Sequence, residues 1–246
     1  LRVYITLSCK TIELPTDYNH ILQGLIYNLI NDDEYRKFLH DRGYSYGKRQ
    51  YKLFSFSRLL GRFEIDSNKK VIKFKDNVVL ILSTADDKLV DFVIERIGRF
   101  ETLNIGRNKV VPTKIQVFDL PRTNHIRVNT KSPITVYSTI GKDGKRYTLY
   151  HSPNDEDFEK LLEDNLKRKY YAAYGVPFEG DIRVKNIAPN PKKVIVSYKE
   201  LKLDAWITVL DITGDWEIVK LAYDAGLGSK NSAGFGCIEL VDREIV

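Results

Sequence analysis

Apolar side chains along this 246-residue chain change their spacing in one order, and then change it in that order again. Residues 2–8 alternate, the two-residue period of a strand. In residues 18–31, YNHILQGLIYNLIN, the apolar positions Ile21, Leu22, Leu25, Ile26, Leu29 and Ile30 fall on one stripe at ~100° per residue, which predicts a helix. YKLFSFS (51–57) alternates again, and VIKF and VVLILST within 71–84 read as paired strands. Asp86 stands where an N-cap would, ahead of Leu89, Val93, Ile94 and Ile97. KVVPTKIQVFDL (109–120) closes the first half as a strand.

The second half repeats the series. RVNTKSPITVYS and RYTLYH read as strands joined across GKDG, a hairpin signal. SPNDEDFEKLLEDNLKRKYYAAYG has polar capping residues, an acidic first turn, a basic last turn and Gly175 beyond its end, so it reads as a helix. DIRVKNIA, KVIVSY and ELKLDAWITVL read as strands, 215–225 as a helix and CIEL as the last strand. The expectation is an α+β chain of two ferredoxin-like (RRM-like) βαββαβ domains, 1–121 and 122–246, joined near DLPRTNH (119–125).

Nothing approaches the ~18 consecutive apolar residues of a membrane span, so no membrane partner is expected. Two cysteines, Cys9 and Cys237, cannot frame a small disulfide fold, and they suit a reducing cytoplasm. The four histidines are scattered, with no HExxH and no Cys/His cluster, so no metal and no cofactor are expected. The net charge of +6 gains meaning once located: residues 36–75 hold twelve basic and three acidic residues, with eight aromatics among them. Cations for phosphates and rings for bases suit a single-strand or RNA surface, although a solvated basic face has the same composition.

The loop GLGSKNSAGFGCIEL (226–240) tests that reading. GxGxxG fails because Asn231 stands three residues after Gly228, and the P-loop pattern fails because no Gly-Lys follows at the required offset. The loop also runs from a helix into a strand, the reverse of loops that bring phosphate to a helix N-terminus. Two roles remain: backbone amides approaching RNA phosphates, or glycines packing flat between two domains.

The run Gly-x-Gly-x-Lys-Asn-Ser-x-Gly-Phe-Gly at 226–236 resembles the C-terminal glycine-rich signature of the CRISPR-associated RAMP proteins, in particular the endoribonucleases that cut CRISPR repeat transcripts. YNHILQGLIYNLI and FLHDRGY…YKLFSFSRL are similar to that family's first helix and active-site segment. The resemblance implies tandem ferredoxin-like domains. It implies metal-independent cleavage of repeat RNA (pre-crRNA) into guide RNAs by 2′-hydroxyl attack, leaving a 2′,3′-cyclic phosphate and a 5′-hydroxyl. Carried over by motif, the catalytic set is Tyr27, His40 and Lys52, with Lys48 a rival for the lysine. The implied partner is CRISPR repeat RNA, met by a monomer or a homodimer, alone or beside other subunits of an interference complex. A non-catalytic RNA-binding subunit of such a complex is the alternative.

The residues carry this chemistry by their own properties. RNA supplies its nucleophile, histidine moves protons near neutral pH, and a fixed lysine stabilises charge on the non-bridging oxygens. On the helical wheel Tyr27 projects about 150° from the centre of the apolar stripe and ~20° from His20, so it is expected to face solvent or a cleft. DDEYRKFLH places His40 in the last turn of a helix, where a capping role is equally open. Lys48, Arg49, Arg58 and Arg62 are the expected phosphate contacts, and His20, Lys230, Asn231 and Ser232 further RNA contacts; Lys192 and Lys193 are weaker candidates. His125 and His151 read as structural.

Overall fold

The computed structural model describes residues 1–142, 144–198 and 201–243. In the first unit β1 (Arg2–Ser8) and β2 (Thr11–Pro15) precede α1 (Asn19–Asn28) and a short α2 (Asp33–Lys37) that runs into a π-helical turn, Phe38–Arg42. A small hairpin of β3 (Tyr44–Tyr46) and β4 (Arg49–Tyr51) leads to β5 (Phe54–Phe56), β6 (Leu60–Asp66) and the long β7 (Val71–Thr84). Then α3 (Asp87–Ile97), β8 (Leu103–Ile105) and β9 (Asn108–Phe118) complete the unit. β1 pairs antiparallel with both β9 and β7, and β5 and β6 pair with β7.

The second unit contains β10 (His125–Thr130), β11 (Tyr137–Lys142), β12 (Lys145–Tyr150), α4 (Asp157–Tyr174), β13 (Ile182–Asn186), β14 (Lys192–Tyr198), β15 (Leu201–Ile207), β16 (Val209–Gly214), α5 (Trp216–Ala225) and β17 (Ile238–Leu240). Its main sheet runs β13-β16-β10-β17. Taken as β1, β6, β7 and β9 in the first unit and β10, β13, β16 and β17 in the second, the four strands of each βαββαβ series lie in the order fourth, first, third, second, which is the ferredoxin-like order. Some of the helix signals act as the sequence suggests, while α4 has neither a capping side chain nor the expected basic last turn, because it runs on to Tyr174 past Lys167, Arg168 and Lys169. Asp86 caps α3 by accepting from the Lys88 amide at 3.1 Å, and Leu89, Val90, Val93 and Ile97 are buried beneath it. Gly175 ends α4 at φ +76°.

Several expected strands divide or fuse. The pair expected in 71–84 is one strand, turned at Asp76 (φ +63°), where aspartate tolerates a left-handed residue better than most. The strand expected over 51–57 shrinks to Phe54–Phe56 because Leu53 has φ +53°. RVNTKSPITVYS becomes β10 and β11, separated around Pro133, which has no amide to continue a ladder. ELKLDAWITVL becomes β15, paired with β14, and β16, which joins the main sheet. In the GKDG hairpin β11 and β12 pair as expected, with Asp143 outside the described residues. The interleaved aromatics of 36–75 do not form a stacking platform. Phe54, Phe56 and Phe74 are core residues, and Tyr46 and Phe63 are the large hydrophobics of that set left exposed.

A buried polar cluster fastens the units together. Arg2 of β1, fully buried, donates to Tyr223 O at 2.6 Å and pairs with Glu239 of β17 at 2.9 Å, its guanidinium 3.6 Å from the centre of the Tyr223 ring. The Tyr4 and Tyr223 hydroxyls also donate to Glu239. The terminal guanidinium nitrogens and the carboxylate are matched in this way, which is what permits an ion pair in the interior, while Arg2 Nε is buried without a partner. Among the described residues no helix is long and apolar enough to cross a membrane.

Candidate active site

Helix α1 carries a polar stripe at four-residue spacing, Asn19, Gln23 and Tyr27, and the glycine-rich loop lies along it. The Asn19 amide donates to the carbonyls of Ala233 and Gly234, each at 3.1 Å, and Gln23 Nε2 donates to Ser232 O at 2.6 Å. Gln23 Oε1 accepts from the Tyr198 hydroxyl at 2.9 Å, so a strand end of the second unit reaches the same helix. The loop thus packs between the units. Within it Asn231 Nδ2 donates to Leu227 O (2.8 Å) and Phe235 O (3.1 Å), and Ser229 N donates to Thr135 O (2.9 Å). Gly234 (φ +85°) and Gly236 (φ +69°) hold conformations that L side chains rarely adopt, and both are crowded by neighbouring atoms.

Tyr27 is 8 % exposed, so of the two settings the wheel leaves open, solvent or a cleft, open solvent does not hold. The wheel accounts for a helix's own stripe alone; here the Phe54 and His40 rings cover the opposite side, their centroids 6.0 and 5.2 Å from that of Tyr27. Burial raises the Tyr27 phenol far above its ordinary range, which keeps it protonated at neutral pH. His40 sits in the π-helical turn with 68 % of its side chain exposed, and its Nδ1 lies 2.7 Å from the Asp41 carboxylate. A carboxylate accepts, so Nδ1 carries the hydrogen and Nε2 is left to exchange a proton. The hydrogen bond from His40 holds Asp41 below the usual carboxylate range, with lesser help from Lys37 and Lys52.

Lys52 follows β4, and its Cδ would be 2.9 Å from a Cβ on Gly43, three residues after His40. Burial lowers its ammonium pKa and the charge of Asp41 opposes that shift. Lys52 Nζ is shut from solvent with no hydrogen-bond partner. Tyr27, His40 and Lys52 therefore converge around Asp41 and Gly43. A cleft of about 620 Å³ opens beside Lys52, lined also by Arg49, Lys230, Asn231 and Ser232.

The remaining candidates lie elsewhere. His20 is exposed at the start of α1, its Nδ1 3.0 Å from Asp17 O. Lys48 is exposed in the β3–β4 turn and Arg62 on β6. Arg58 sits over the Tyr18 ring at 5.5 Å, and its backbone amide donates to Lys131 O at 2.9 Å. Lys193 is paired with Asp204 at 2.6 Å. His151 is buried with Nε2 2.9 Å from Ser138 Oγ, and His125 is 3.5 Å from Asp211. Sequence reasoning passes over Asp41, Gln23 and Tyr198. The first is legible as the neighbour of His40 and the second as the residue one turn before Tyr27, while nothing local marks Tyr198.

Comparison with known proteins places the chain in a family. Residues 13–116 match the family model "CRISPR-associated protein Cas6, N-terminal", and residues 113–240 match "CRISPR associated protein Cas6, C-terminal". A CRISPR-associated endoribonuclease Cas6 of Methanocaldococcus jannaschii is 26% identical over 93% of this chain and 88% of its own length. The corresponding Pyrococcus furiosus endoribonuclease Cas6 is 24% identical over 94% of this chain and 85% of its own. A solved structure titled "CRISPR associated protein Cas6" superposes with a TM-score of 0.78 at 25% identity, covering 98% of this chain and 99% of that one. A Cas6-related protein from Pyrococcus furiosus shares the fold at a TM-score of 0.83 and 23% identity, covering 99% of each chain. With both of its halves matched in order, the chain belongs to the CRISPR-associated Cas6 family.

Proposed function

We propose that this protein is an endoribonuclease that cleaves CRISPR repeat transcripts into guide RNAs without a metal ion, its first domain (1–121) carrying the catalytic residues and its second (122–246) the glycine-rich loop. The observation that carries the reading is one exposed imidazole, oriented by Asp41, beside a lysine ammonium that lacks a partner. RNA brings the attacking 2′-hydroxyl and needs protons moved and phosphorane charge stabilised. His40 Nε2 serves as general base or acid, a contribution of ~10²–10⁴-fold. Lys52 aims its ammonium, itself shut from solvent, at the non-bridging oxygens; a single such donor contributes ~10²–10³-fold. Tyr27, buried and protonated, holds the His40 ring and can donate to the phosphate, and it is unsuited to act as a base.

The test uses repeat RNA incubated with the protein in excess chelator, beside the same RNA carrying one 2′-deoxy nucleotide at the cut site. The expected result is cleavage of the first to a 2′,3′-cyclic phosphate and none of the second. Cleavage of the deoxy substrate, or dependence on added divalent ion, overturns the mechanism. Tight binding without cleavage of either assigns the protein a non-catalytic RNA-binding role.

A further inference from the structure

The far wall of the cleft belongs to α4, whose Leu161, Asn165, Arg168 and Lys169 fall on one face. Five basic side chains line the space, Arg49, Lys52, Arg168, Lys169 and Lys230, and no Asp or Glu is among its described lining residues. Lys169 is 1 % exposed and its Nζ donates to Gly226 O at 2.6 Å, at the root of the glycine loop. Asn165 is 7 % exposed with Oδ1 unpartnered, and Arg168 Nε is likewise shut from solvent with no partner. Lys52 Nζ stands unpartnered on the opposite wall. Buried donors without a partner, as at Arg168 Nε and Lys52 Nζ, are costly, and an anion entering the cleft would offset that cost. A space of about 620 Å³ lies within the range that takes a nucleotide-sized ligand.

We propose that this wall of α4 is a phosphate subsite for the RNA strand beside the scissile linkage, with Arg168 receiving the backbone phosphate, Lys169 bracing the wall behind it through its bond to Gly226 O, and Asn165 Oδ1 accepting from a ribose hydroxyl or base amino group of the same nucleotide. The subsite rests on the reading of the protein as an RNA-cleaving enzyme. It makes the second unit a direct contributor to substrate binding, where a structural role for α4 would have it support the fold alone. Phosphate geometry favours Arg168 as the receiver, since a guanidinium offers a planar pair of donors to two oxygens.

The test is binding of repeat RNA made uncleavable by a 2′-deoxy nucleotide at the cut site, measured across a salt series for wild type, Arg168→Gln and Arg168→Lys. Loss of one phosphate contact on single-stranded RNA makes the slope of log K against log salt shallower by ~0.7. Arg168→Gln is expected to show that change with affinity about tenfold weaker, and Arg168→Lys to restore the slope. Unchanged slope and affinity in Arg168→Gln overturn the subsite. Phenylglyoxal labelling of Arg168 in the wild-type protein, read by mass spectrometry, needs no variant to fold. Protection by bound RNA is expected, and equal labelling with and without RNA overturns the proposal. If wild type cuts repeat RNA while Arg168 is neither protected nor needed, the subsite fails by itself. If Arg168 is protected and the slope changes but nothing is cut, the cleavage reading fails and the subsite stands.

Discussion

Gly236→Ala tests whether the glycine loop is a packed joint between the two units or an open cradle. A Cβ at this position would lie 1.9 Å from Leu227 O and 2.7 Å from Asn231 Nδ2, on a backbone with φ +69°. The left-handed conformation alone costs an alanine ~1–2 kcal/mol. The crowded atoms have little freedom to yield. Leu227 O accepts from Asn231 at 2.8 Å, and Leu227 N donates to Gly236 O at 2.9 Å. Moving the carbonyl far enough to admit a methyl breaks both bonds, at ~1 kcal/mol each, so the variant is expected to be less stable by ~3–4 kcal/mol. Gly24→Ala is the matched control, because nothing lies within 4 Å of its Cβ in α1. There the change is expected to stabilise by up to ~1 kcal/mol through helix propensity. Guanidinium unfolding of the three proteins reads both effects. A loss of no more than ~1–2 kcal/mol in Gly236→Ala, the conformational strain alone, would refute the packed-loop argument, because an open loop accepts the methyl at no further cost.

Gln23→Leu removes both the tie to Ser232 O and the acceptor of the Tyr198 hydroxyl; single-turnover cleavage is expected to slow at least tenfold while RNA affinity changes less than threefold. Equal rates would show that α1 and the loop need no such link. Lys169 gives a pH signature: burial lowers its pKa from the ordinary 10.5 to about 7, with nearby Arg168 adding to the shift. Between those values the unfolded chain keeps a proton that the folded protein releases, so stability rises with pH, by at most ~1.4 kcal/mol per unit. Melting temperature from pH 7 to 9 is therefore expected to climb more steeply in wild type than in Lys169→Met, and parallel curves would contradict it.

The ferredoxin-like plan was legible because hydrophobic period reports which face of each element is buried, and that pattern survives even where strand ends do not. Strand breaks at Leu53 and Thr208 left no such mark: one depends on a positive φ, the other on a strand changing sheets. Motif position was enough to nominate His40 and Lys52 but silent on their setting. The wheel leaves Tyr27 facing solvent or a cleft because it cannot see the side chains that the π-helical turn and β5 lay over it. Counting aromatics in 36–75 failed for a related reason, since Phe54, Phe56 and Phe74 point into the core. The cations of α4 were illegible: Arg168 and Lys169 occupy an amphipathic helix whose charges look like any solvated face until the glycine loop closes over them.

The account turns on His40 moving the proton while the rest of the site holds the RNA. Single-turnover cleavage of repeat RNA by His40→Ala, with affinity for the uncleavable RNA measured in parallel, addresses this directly. A fall in rate of ~10²–10⁴-fold with affinity unchanged is the expected outcome. Cleavage at the wild-type rate by His40→Ala would contradict it.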